Sequence, residues 1–205
     1  MREAGLTVGP AARVQTFISA SERGASAESF DAIACDLARF QAAFVPAIAR
    51  LHRARGVDAA RLSQADEIPA VPTDAFKLAR VAAHGRSEDE RVFRTSGTTI
   101  GQRGEHAVRD SSTYALAAVT HGRQMLWPDR VPIRVLVLGP PPDTIPDSSL
   151  TFMCALFGER FSSGAHFHLY DDAHDEVALA REVASSPLPV LLLGTSFAFV
   201  HLLDS

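Results

Sequence analysis

The sequence predicts an α/β fold, a mainly parallel sheet covered by helices, with a helical amino-terminal extension. Three observations predict it. An apolar stripe at helical spacing runs through residues 30–51. The apolar runs at residues 135–138 and 190–193 are of the kind buried on both faces of a sheet. Helix-patterned segments separate these strands, as right-handed parallel crossovers require. Residues 1–65 are assigned to the helical segment and residues 66–205 to the α/β domain.

The elements follow in order. Phe30, Ile33, Leu37, Phe40, Phe44, Ile48 and Leu51 recur every three or four positions, which makes one face of a long helix. Ser26 serves as its cap, Pro46 kinks its middle and Gly56 stops it. Residues 66–76 carry two X-Pro steps and read as an extended connection. Residues 86–90 read as a solvated charged turn, and Arg91-Val92-Phe93 as a short strand. Asp110 caps a helix to about Met125, ended by Trp127-Pro128. After the strand at 135–138, Ser148 or Ser149 caps a helix to Phe157, with Gly158 as its stop. A strand at 166–170, a helix at 175–184, the strand at 190–193 and a short helix from Ser196 to Leu203 complete the chain.

Composition narrows the function classes. The 205 residues are 46% hydrophobic and 21% charged, which is enough for a sizeable core. A formal net charge of −4 without a Lys/Arg block argues against nucleic-acid binding through a basic face. No apolar run has the length of a membrane span, and residues 1–12 lack a basic-then-apolar signal pattern. Cys35 and Cys154 lie in helical patterns far apart and read as free thiols, which points to the cytoplasm.

The chemistry concentrates in Thr95-Ser96-Gly97-Thr98-Thr99-Ile100-Gly101-Gln102-Arg103. Such a run can offer backbone N–H groups, hydroxyls and one cation to a single anion. Gly97 and Gly101 give the backbone room. Thr95, Ser96, Thr98 and Thr99 are candidate hydroxyl contacts to the β- and γ-phosphates of ATP, and Arg103 offsets their charge. The spacing is neither that of the Walker loop nor that of the dinucleotide fingerprint.

The order Thr-Ser-Gly-Thr-Thr-x-Gly resembles the nucleotide loop of adenylate-forming enzymes. Here Ile100 is inserted, and Gln102-Arg103-Gly104 stands where that superfamily has Pro-Lys-Gly. The segment from Glu67 to Lys77, with Val71-Pro72-Thr73-Asp74-Ala75-Phe76, resembles the acyl-protein synthetase family. So do Glu105-His106-Ala107-Val108-Arg109-Asp110 with Tyr114, and Gly194-Thr195-Ser196-Phe197 with Val200 and Leu203.

The resemblance implies the large amino-terminal domain of a ligase that uses ATP and Mg²⁺ to activate a carboxylic acid, fatty or aryl. The acyl group would then pass to an acceptor protein. It also implies an amino-terminal portion, because the adenine-binding segment, the ribose aspartate and the lid lysine of that superfamily find no counterpart here. Alternatives are a phenylacetate-CoA-ligase-like enzyme with coenzyme A as acceptor, a non-catalytic remnant of the fold, and a phosphate-binding protein of unrelated fold.

Three further features are read structurally. Cys154 lies on the apolar side of its helix with Leu150, Met153 and Phe157, which suits a buried thiol rather than an acyl carrier. His166 and His168 with Asp171, Asp172, His174 and Asp175 span a strand end and a helix start, so no metal site is assigned. His106 follows the loop directly and is read as a surface residue near it.

Overall fold

The computed structural model describes residues 9–24, 28–95, 102–164, 167–169 and 176–204. The fold is mixed α/β, with eight α-helices and two small sheets among these residues. No single helix among them is long and apolar enough to cross a membrane. The chain divides into two compact units, Met1–Ala117 and Ala118–Ser205.

The first unit opens with α1 (Pro10–Glu22), α2 (Phe30–Phe44) and α3 (Pro46–Ala54). The cap of α2 is Ser29, whose hydroxyl accepts from the Ala32 N–H at 3.2 Å; the expected cap, Ser26, lies outside the described residues. Pro46 does more than kink a long helix. It disfavours helical geometry at Val45, which is extended at φ −115 and ψ 102, and the chain turns by 109° between α2 and α3. Gly56, at φ +66, ends the second helix as expected. Cys35, Ala38 and Leu62 form a small core with Val57, Ala59 and Ile68. Arg13 bridges Glu28 and Asp36 and so ties α1 to α2. Phe30 and Phe44, counted in the apolar stripe, are exposed.

The unit continues with α4 (Ala75–Leu78) and an antiparallel hairpin of β1 (Arg91–Arg94) and β2 (Glu105–Val108). β2 was not anticipated as a strand. Helix α5 (Ser112–Leu126) contains the boundary between the units. Asp110 caps it as expected, accepting from the Ser112 N–H at 2.8 Å.

The second unit holds β3 (Arg134–Leu138), α6 (Ser149–Phe161), β4 (Phe167–Leu169), α7 (Glu176–Ala184), β5 (Val190–Gly194) and α8 (Ser196–Asp204). Its sheet is parallel with order β4-β3-β5; Leu136 lies opposite both Phe167 and Leu192. Of the one mainly parallel sheet expected from the sequence, the described residues show three parallel strands; the two-stranded antiparallel sheet belongs to the other unit. Alternation along β3 feeds two clusters. Val135 and Val137 pack with Cys154, Phe157 and Phe161, while Leu136 and Leu138 pack with Leu179. Ser148 caps α6 through the Thr151 N–H at 3.1 Å. Gly158 does not stop that helix: it is buried inside it, and the helix runs on to place Phe161 in the core.

Candidate functional site

The hydroxyl–glycine run joins β1 to β2. Arg91 lies opposite Val108 and Arg94 opposite Glu105, so the run connects the arms of one hairpin. Ser96, Gly97, Thr98, Thr99, Ile100 and Gly101 lie outside the described residues, whereas Thr95 and Arg103 are described. Thr95 closes the hairpin. Its N–H donates to the Gly104 carbonyl at 3.0 Å, and its hydroxyl accepts from the Gly104 N–H at 2.8 Å. Arg103 reaches back across the base, donating Nε–H to the Thr95 carbonyl at 2.7 Å. Both residues therefore brace the two ends of the run.

A cavity of about 300 Å³ opens beside this base. The hairpin contributes Gln102, Arg103, Glu105 and Ala107 to its lining; α4 and the residues after it contribute Phe76, Lys77, Leu78, Ala79 and Arg80; Arg86 completes it. The one-turn helix α4 is held on the hairpin by Phe76, whose ring stacks on His106 with centroids 4.2 Å apart. His106 is thus a supporting residue of the cleft wall.

Arg80 is fixed by a small network. Its Nη1 donates to Asp89 Oδ2 at 3.0 Å, its Nη2 to Asp89 Oδ1 at 2.5 Å and also to the His84 carbonyl at 3.1 Å. His84 Nε2 lies 2.9 Å from Asp89 Oδ1. The Arg80 guanidinium, and then His84, hold the Asp89 carboxyl below its usual range, and Asp89 in turn raises Arg80. This corrects the sequence reading of residues 86–90 as wholly solvated, since the Asp89 side chain is only 12% exposed. Glu90 is committed too: it accepts from the Ser111 N–H at 2.8 Å and the Ser111 hydroxyl at 2.6 Å, just ahead of α5.

Asp89→Asn should lower the thermal midpoint, because it leaves Arg80 without its carboxylate. A depressed folded-state pKa contributes stability above the ordinary Asp value of about 3.9 and loses it as pH falls through the folded value. The gap between wild type and variant should be full at pH 7 and should narrow as pH falls below the ordinary Asp value. A series of melting curves from pH 7 downwards checks this; a gap that does not change with pH would refute it.

The cleft suits an anion. Lys77, Arg80, Arg86 and Arg103 face one carboxylate, Glu105. Glu105 is itself paired with Arg94 at 3.1 Å and with Arg86 at 3.8 Å. The lining therefore offers no carboxylate set for Mg²⁺, and among the described residues no three His, Cys, Asp or Glu side chains group to hold a metal ion. The cluster at His166, Asp171, Asp172, His174 and Asp175 lies outside the described residues. Cys154 is buried and its thiol is pushed up by burial, which fits a structural role.

Sequence reasoning did not name Lys77, Arg80 or Arg86 as site residues. The available signal was basic residues flanking a Pro-Thr-Asp turn, but their convergence depends on α4 docking against β2. Comparison with protein-family models, with curated proteins and with solved structures gives no match.

Proposed function

We propose that the chain carries the nucleotide-phosphate loop of an acyl-protein synthetase-like, adenylate-forming ligase. A carboxylate oxygen of the acid attacks the α-phosphorus of ATP; the bond to the β-phosphate oxygen breaks, giving an acyl-adenylate and pyrophosphate. Thr95, Ser96, Thr98 and Thr99 provide hydroxyls, Gly97 and Gly101 allow close approach, and Arg103 adds positive charge at the base. The protein's share of such a reaction is positioning and charge stabilisation. Mg²⁺ would arrive on the phosphate oxygens of the nucleotide, because the cleft lining is cationic.

The observation that supports this reading is a hairpin whose strands the hydroxyl–glycine run links in sequence, braced by Thr95 and Arg103 and bordered at its base by a cationic cleft. The two buried, free cysteines suit a reducing cytoplasm. The acid is a fatty or aryl acid, and the acyl acceptor a protein thiol.

The test has two readouts: calorimetric binding of ATP with Mg²⁺, and exchange of labelled pyrophosphate into ATP on addition of a fatty or an aryl acid. Thr98→Val should weaken ATP binding by roughly tenfold, the loss of one hydrogen bond to a charged group. An unchanged affinity removes Thr98 from the contacts. No ATP binding by the wild type overturns the nucleotide reading.

A further inference from the structure

We propose that the cleft beside the hairpin base is a docking site for a phosphate chain, with Lys77 and Arg86 as its direct cationic contacts and Arg80 as a fixed guanidinium in its wall. This deepens the reading above by assigning residues and ligand chemistry outside the loop.

Charge argues first. The chain is acidic at −4, yet this lining gathers Lys77, Arg80, Arg86 and Arg103 with Glu105 as its one carboxylate, while Asp74 and Asp89 pair with Lys77 and Arg80 from outside it. A multiply charged anion is the ligand that such a concentration of cations recognises. Size agrees, since about 300 Å³ lies at the lower end of small-molecule sites and suits a short polyanion.

The three cations outside the loop, Lys77, Arg80 and Arg86, differ in how they are held. Lys77 is mostly covered, at 18% exposure, and its Nζ meets the exposed carboxylate of Asp74 at 3.0 Å. Arg86 is 72% exposed and touches Glu105 at 3.8 Å. The Arg86 pair is long and exposed, and Lys77 meets an acid that is itself exposed, so both side chains can turn to a stronger anion. Arg80 is held: Nη1 and Nη2 both donate to Asp89, which offsets much of its charge and fixes the guanidinium in the wall. A flexible ammonium, a planar fork and a fixed guanidinium together match phosphate oxygens presented in sequence.

The experiment titrates the full chain with inorganic tripolyphosphate and, separately, with ATP, by calorimetry at low salt. Both should bind. Lys77→Ala and Arg86→Ala should each weaken both ligands about tenfold, as expected for one lost charge-assisted contact. Arg109 is 68% exposed, paired with Glu88 and absent from the cleft lining. Arg109→Ala removes the same charge elsewhere and should change affinity less than about twofold. Circular dichroism confirms that each variant is folded. Equal losses from Arg109→Ala, or no loss from the cleft variants, would overturn the cleft site. ATP binding that ignores Lys77 and Arg86 would leave the nucleotide reading standing while the cleft falls. Tripolyphosphate binding that needs Lys77 and Arg86, without ATP binding, would do the reverse. A wild type that binds neither ligand would reject both.

Discussion

Phe161→Ala should remove a large share of the stability of the unit Ala118–Ser205. Phe161 is 2% exposed and lies at the end of α6, stacked on Phe157 at 4.9 Å and tilted against Trp127 at 5.5 Å. Truncating a buried phenylalanine costs about 3–5 kcal/mol, a large share of the ~5–15 kcal/mol that a domain commands. The readout is built in. Trp127 is the chain's single tryptophan, and its Nε1–H donates to the Val131 carbonyl at 2.6 Å. Urea titration followed by tryptophan emission therefore reports on this unit. A loss under about 1 kcal/mol would mean that Phe161 is not the keystone its burial suggests.

Gly122→Ala should destabilise the same unit, against the usual trend. In a solvent-exposed helix, alanine would be favoured over glycine by about 0.5–1 kcal/mol. Here an added Cβ would lie 2.6 Å from Phe157 Cε1 and Cζ and 3.3 Å from Phe161 Cζ. Neither ring is free to yield, because each is buried and stacked on the other. Overpacking typically costs about 1–3 kcal/mol, which outweighs the helical gain. The clash also predicts coupling. Gly122→Ala in a Phe157→Leu background should be nearly neutral, and the departure from additivity measures the contact. Additive effects in the double variant would show that the aromatic ring is not the obstacle.

Those two sites mark the limits of the sequence as a guide. The strands at Val135 and Val190, the Asp110 cap and the Gly56 stop were legible because each depends on local pattern or local backbone geometry. Gly158 misled because a glycine near the end of an apolar run looks like a terminus. Burial of Phe161 three residues later carries the helix through it. β2 was missed because Glu105-His106-Ala107-Val108 lacks strand-like alternation and is specified by pairing with β1. The hydroxyl–glycine run stands out in the sequence, but Ser96 to Gly101 lie outside the described residues. Lys77, Arg80 and Arg86 do not stand out, since their place beside the hairpin base depends on the stacking of Phe76 on His106. Asp89 looked like one more charge in a charged turn until Arg80 and His84 closed around it.

The two sheets also set a timetable for assembly. β1 and β2 are near neighbours along the chain, so their hairpin can zip on the microsecond scale without help from distant residues. β3 must wait for β5, which arrives only after a helix, a strand and another helix have been traversed. Closing so distant a parallel pairing is entropically slow. The hairpin can thus acquire its shape early, while the centre of the parallel sheet is secured later.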